Sequence, residues 1–101
     1  MANNCENTLT VFSETPENIE YIKEFFNNWG NIDQDDSCNL KIYFNSEWNF
    51  PKEEMEELFK GIPYKDDIQM VCLSVEWGCF YCAFHYCDEE GWKYQNQWMQ
   101  L

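Results

Sequence analysis

The sequence predicts a single α+β domain, a two-layer sandwich with two helices on one face of a mainly antiparallel sheet. Three observations carry that expectation. Two stretches, 16–30 and 51–61, repeat apolar residues at helical spacing and end on glycine. The run Met70–Cys87 (MVCLSVEWGCFYCAFHYC) alternates with period two on both sides of Gly78, which reads as an antiparallel hairpin with one bulky face toward a core. At 101 residues and 19% aromatic content, the chain can bury a core as one domain, 1–101, and is too aromatic for a disordered acidic tail.

Taken in order, Thr8–Phe12 (TLTVF) is the first strand, with Leu9 and Val11 on one face. Thr15 is placed to cap a helix that opens at Pro16, and Glu17 sits in its first turn, where the dipole favours an anion. Ile19, Ile22, Phe26 and Trp29 make its apolar stripe, with Phe25 alongside, and Gly30 stops it. Asn31–Asn39 is polar and reads as a loop, with a short edge strand at its start as the alternative. Leu40–Asn45 alternates Leu40, Ile42 and Phe44 against Lys41 and Tyr43, a strand with one wet face. Ser46–Phe50 turns into a second helix from Pro51, with Met55, Leu58 and Phe59 inward and Gly61 at its end. Lys65–Asp67 is a turn.

The long hairpin then runs from Ile68 to Cys87. Val71, Leu73, Val75 and Trp77 share one face of its first arm, and Phe80, Cys82, Phe84 and Tyr86 one face of its second. The tail after Gly91 is too apolar to be free, and its pattern leaves an edge strand and a short helix both open. Strand, helix, strand, helix and hairpin in this order fit a ferredoxin-like sandwich.

Charge narrows the function classes. Nineteen Asp and Glu face six Lys, Arg is absent, and the net charge is −13. Gripping nucleic acid requires cations that displace counterions from phosphate, and Arg is its best reader. Direct nucleic-acid binding and docking on an anionic membrane are therefore not expected. The natural partner is a basic protein, such as a nuclease or CRISPR effector whose groove holds nucleic acid. The plainer reading is that acidity only solubilises an aromatic-rich domain. The acids cluster as Asp33, Asp35 and Asp36; Glu53, Glu54, Glu56 and Glu57; Asp66 and Asp67; and Asp88, Glu89 and Glu90. These are the candidate partner-binding residues, with Trp48, Tyr81, Trp92 and Trp98 as candidate aromatic anchors. The Asp33–Asp36 run lacks the glycine and twelfth-position Glu of a calcium loop.

No basic-then-apolar leader opens the chain and no apolar run reaches bilayer length. The expectation is a cytoplasmic protein with six reduced cysteines.

Three short segments resemble the YubB ferredoxin-like domain family, small proteins of plasmids, phages and other mobile elements. Asn3-Asn4-Cys5-Glu6-Asn7-Thr8-Leu9-Thr10-Val11 is similar to the family's Asn-Trp-Cys-x-Asn-x-Leu-x-Val start. Phe44–Pro51 (FNSEWNFP) resembles its Phe-x-Thr-Ala-Trp-x-Pro-Pro turn, and Glu76-Trp77-Gly78 followed by Phe80 its Glu-x-Gly hairpin. Asn4, Glu47 and Phe50 depart from the pattern. The resemblance implies a ferredoxin-like fold and a mobile-element context, and carries no catalytic motif. Together with the acidity it points to a non-enzymatic inhibitor of anti-CRISPR or anti-restriction type, a nucleic-acid mimic without cofactor.

The alternative is a metal or redox module. Cys79, Cys82, His85 and Cys87 offer four soft ligands within nine residues. On a strand, however, Cys79 and Cys82 point to opposite faces, roughly 10 Å apart at ~3.3 Å per residue. A thioredoxin-type pair needs its first Cys at a helix N-terminus. His85, the only histidine, has no Gly-rich loop or Ser-containing elbow to support nucleophilic catalysis. A further alternative is a ligand-binding accessory domain using an open sheet face around Tyr81 and His85.

Overall fold

From Asn4 to Phe12 the chain alternates exposed and buried residues without a break, and this strand, β1, lies inside the sheet with a partner on each side. The structure is a computed structural model describing residues 4–47, 49–78 and 81–98, the side chains of Gln34 and of 94–98 excepted. After β1 come α1 (Pro16–Phe25), β2 (Asn31–Asp35), β3 (Asn39–Glu47), α2 (Lys52–Gly61), a 3-10 turn (Lys65–Asp67), β4 (Gln69–Glu76), β5 (Tyr81–Asp88) and β6 (Gly91–Trp98). The six strands form one antiparallel sheet in the order β2-β3-β1-β4-β5-β6. The two helices cover one face, so the architecture is a two-layer α+β sandwich.

The expected elements are present, with shifted bounds. The first strand starts four residues earlier, and the start of the 31–39 stretch is the edge strand β2. Asp33 is the extra residue of a bulge in it, between Ile32 and Gln34. The tail is a strand, β6, paired along the whole of β5. An edge strand carrying acids and a bulge, as β2 does, resists pairing with a further chain. Thr15 occupies the cap position of α1 without a cap hydrogen bond. Its hydroxyl instead donates to the Asp67 carboxylate at 2.6 Å. Helix α1 ends at Phe25, and Trp29 sits in the following turn.

The hairpin required a larger correction. Its bulky face does not meet the core. Met70, Cys72, Ser74 and Glu76 of β4, with Tyr81, Ala83, His85 and Cys87 of β5, are the buried set. Leu73, Trp77 and Phe84 are 41%, 59% and 45% exposed. Pairing explains the inversion. Leu9 lies opposite Cys72 and Val11 opposite Met70, and these share the face that Leu40 and Ile42 present to the helices. Both faces of β4 are apolar, so alternation alone leaves the covered side open.

The core joins Leu9, Val11, Leu40, Ile42, Met70 and Cys72 of the sheet to Ile19, Ile22 and Phe26 on one side and Met55 and Leu58 on the other. A polar bolt ties α1 to the loop before β4. Asn18 is fully buried. Its Nδ2 donates to the Tyr64 and Asp67 carbonyls at 2.9 and 3.0 Å and to Ser13 Oγ at 3.1 Å. Its Oδ1 accepts from the Tyr64 N–H at 3.0 Å.

Replacing Asn18 by Ala takes the partner from the part-buried Tyr64 N–H and carbonyl and one of two donors from the Asp67 carbonyl, which keeps the Ser13 hydroxyl at 2.7 Å. The expected cost is about 3 kcal/mol and a Tm lower by roughly 10 °C or more. Calorimetry on the Asn18→Ala variant checks this, and a change within ~0.5 kcal/mol removes the bolt's role.

Candidate functional site

The acidic residues divide into those that build turns and those that face solvent. Asp36 accepts the Cys38 and Asn39 N–H groups at 3.0 and 2.7 Å and closes the β2–β3 turn. Asp67 holds Thr15, and Asp88 accepts the Glu90 N–H at 2.9 Å. Short polar side chains bonding backbone two or three residues on are turn formers. Asp35 pairs with Lys23 of α1 at 2.9 Å. Asp33, Glu53, Glu54, Glu57, Asp66, Glu89 and Glu90 are exposed, and Glu56 is half-buried.

Topology then groups them. Helix α2 packs over β6, and the β5–β6 turn lies beneath its C-terminal end, where Gly91 approaches the Phe59 ring. A Cβ at Gly91 would sit 3.5 Å from that ring, and its φ of +113° strains any other residue. Glu56 and Asp88 both act on the buried Cys87 thiol. Asp66 and Asp67 line one small cleft with Asp88 and Glu89. The α2, 65–67 and 88–90 acids are thus neighbours that meet at the start of β4 and the end of β5, with Lys60, Lys65 and Lys93 among them. Asp33, Asp35 and Asp36 lie at the opposite edge, apart from them.

The aromatic anchors are placed differently from the expectation. Tyr81 is 5% exposed and faces the helix layer, so it is no protruding anchor. His85 lies on the same buried side, and the open sheet face does not include either residue. Trp92 is buried, its Nε1 donating to the Met55 carbonyl at 2.8 Å. Trp48 lies outside the described residues, as does the Trp98 side chain.

Tyr81 and His85 do contribute to a cavity. The helices cover one end of the sheet, and at the other end an open cleft of ≈ 690 Å³ lies beside the start of α2. Trp29, Phe50, Tyr81 and His85 supply its rings, and Glu53 and Glu54 stand on its rim. The His85 and Phe50 ring centroids are 4.1 Å apart. Burial lowers the pKa of His85 from its usual 6.5 and raises that of Tyr81, against a backbone hydrogen bond with Phe50.

The floor next to this cleft is a buried polar layer that sequence reading did not single out. Asn7 Nδ2 donates to Ser46 Oγ at 2.9 Å and to the Phe44 carbonyl at 3.3 Å. Ser74 Oγ donates to Asn7 Oδ1 at 2.6 Å. Glu76, 2% exposed, accepts the Gly78 N–H at 2.7 Å and so shapes the hairpin turn. Beside its place in the Cys-x-Asn-x-Leu-x-Val segment, the signal for Asn7 was a polar residue in alternating register with Leu9 and Val11.

The cysteine set is split. Cys82 is half-buried on the open face, whereas His85 and Cys87 face the helices; Cys79 lies outside the described residues. Among the described residues no three His, Cys, Asp or Glu side chains group as a metal site. Burial pushes the Cys72 and Cys87 thiols up to about 12. Among the described residues no helix is long and apolar enough to cross a membrane. No family model, no curated protein and no solved structure matches this chain.

Two measurements follow from these environments. Under mildly alkaline alkylation of the native protein, Cys38 and Cys82 react before Cys72 and Cys87, which are at least ~100-fold slower. Peptide mass spectrometry reads the order, and equal rates would contradict the burial. For His85 the folded state disfavours the proton that the unfolded chain accepts, so its contribution to stability is present above 6.5 and lost as pH falls. Between roughly pH 8 and pH 5 the Tm of a His85→Gln variant should fall less than that of the natural chain.

Proposed function

We propose that this chain is a non-enzymatic acidic interaction protein that binds a basic, nucleic-acid-handling protein and blocks it, in the manner of an anti-CRISPR or anti-restriction inhibitor. The single observation that carries the reading is this group of acids. Exposed Glu53, Glu54 and Glu57 on α2 neighbour Asp66, Glu89 and Glu90 of the two turns at its C-terminal end, in a chain without arginine. Carboxylates on a rigid helix and two short turns offer fixed negative charge to a groove that evolved to hold phosphates. Long-range complementarity of this kind speeds encounter and selects basic partners. The order β1-α1-β2-β3-α2-β4 with neighbours β2-β3-β1-β4 supports the ferredoxin-like reading. That reading, with the YubB resemblance and its mobile-element setting, gives the context of a small cytoplasmic inhibitor. Glu76 bonding the Gly78 N–H gives the Glu-x-Gly segment of that resemblance a physical purpose.

A second reading is favoured by the cleft beside Phe50, Tyr81 and His85, which has the size and mixed lining of a small-molecule site. It makes the chain a ligand-binding accessory domain.

Titration against purified CRISPR effectors and restriction nucleases separates the two. Inhibition should weaken with salt and fall by ~100-fold or more in a Glu57→Lys, Glu89→Lys, Glu90→Lys variant, whose altered positions lie away from the cleft. Undiminished binding by that variant would sink the electrostatic reading. Saturable small-molecule binding that survives charge reversal favours the cleft.

A further inference from the structure

The pairing registers define a grid on the sheet face that no helix covers. Three successive rows across β3, β1, β4 and β5 read Lys41, Thr10, Val71, Tyr86, continued by Lys93 of β6; then Tyr43, Thr8, Leu73, Phe84; then Asn45, Glu6, Val75, Cys82. Of the chain's nineteen acids, these rows hold one, Glu6, against two of its six lysines; the same parity puts Glu47 and Asp88 at the ends of the face, and Lys93 pairs with Asp88 at 3.9 Å. Trp77 extends the apolar patch at one end, its Nε1 donating to Glu6 Oε2 at 3.2 Å, and Phe12 borders it at the other. Leu73, Phe84, Tyr43, Phe12 and Trp77 are each at least 40% exposed. A contiguous apolar patch of this kind on an otherwise acidic molecule marks an interface.

We propose that this face pairs with the same face of a second copy of the chain, giving a two-fold dimer with the acidic helix layers outermost. Charge selects this occupant. Two molecules of net charge −13 repel over most orientations, and the open face is where they meet with nearly all their carboxylates turned away. A basic partner, attracted to the denser acids elsewhere on the surface, meets here Lys41 and the ion-paired Lys93 beside only Glu6, Glu47 and Asp88. The face also maps onto itself. A two-fold axis lying in it and running across the strands exchanges the outer rows, so Glu6 of one copy stands over Thr10 of the other, next to Lys41. The central row, with Leu73 and Phe84, lies over its own counterpart. A two-fold axis along the strands would set Lys41 against Lys93. Area is sufficient. Five strands about 4.8 Å apart and eight or so residues long at ~3.3 Å each span roughly 24 × 26 Å, about 600 Å² per partner and the lower end of a standard interface, on a molecule 38 × 26 × 20 Å across its Cα atoms. Aligned packing of two such sheets has the geometry of a sandwich.

Sedimentation of the full chain in reducing buffer tests this. The expected result is a monomer–dimer equilibrium in the micromolar range that tightens as salt screens the repulsion between two anions. Binding to a basic partner has the opposite salt dependence, so the two associations fail independently. Leu73→Glu, at an exposed position that leaves the Tm close to that of the natural chain, should weaken the dimer by ~30-fold or more. Glu6→Lys should weaken it too, and Lys41→Glu in the same chain should restore it. A chain still monomeric at roughly 0.2 mM in high salt overturns the proposal. So does a dimer that Leu73→Glu leaves unchanged, which would use another surface. Loss of basic-partner binding by Leu73→Glu in a monomeric chain would give the face to the partner and overturn it as well.

Discussion

Strand β1 pairs with β4 so that Leu9 faces Cys72 and Val11 faces Met70. This register decides the sidedness of everything beyond it. Because side chains alternate, one residue of slip would turn Val71, Leu73 and Val75 inward and Met70, Cys72 and Ser74 outward. Pairing of β4 with β5 and of β5 with β6 carries the same parity to the far edge, placing His85, Cys87 and Trp92 under the helices. Helix α2 lies over β6 on this side. Trp92 hydrogen-bonds the Met55 carbonyl there and fixes the helix on that face.

The same parity separates two kinds of surface. Acids concentrate on the helices and on the turns, while the three central rows of the open face hold Glu6 alone among carboxylates. Within the acidic set, chemistry is shared unequally. Asp36, Asp67 and Asp88 each satisfy backbone N–H groups or a hydroxyl in a turn, and their replacement would act on stability. Glu53, Glu54, Glu57, Glu89 and Glu90 stand in water. Ion pairs such as Glu57–Lys60 at 3.9 Å are solvated and contribute little to folding. Their charge is available for association.

The uncovered end of the helix-side face is polar. Asn7 links β1, β3 and β4 through Ser46, Phe44 and Ser74, which keeps buried polar atoms satisfied where no helix reaches. The cleft beside it exists because α2 starts only at Lys52, after Phe50 has turned inward against His85 and Trp92. A cleft beside a fully hydrogen-bonded layer is rigid enough to receive either a ligand or a side chain of a partner.

Both helices, the hairpin and the acid clusters were legible in residue order because they are local. Ile19, Ile22, Met55 and Leu58 repeat at helical spacing, the hairpin arms alternate on either side of Gly78, and clustered acids are simply counted. The aromatic positions misled: Tyr81 and His85 read as open-face residues and line a buried cleft, while Leu73 and Phe84 read as core and lie exposed. Alternation states that a strand has two faces, and when both are apolar it does not say which one meets the helices. That choice belongs to pairing between residues more than sixty positions apart, Leu9 with Cys72 and Asn7 with Ser74. Long-range pairing likewise drew the α2, 65–67 and 88–90 acids together and left Asp33 and Asp35 at the far edge, a grouping set by strand order and absent from local sequence.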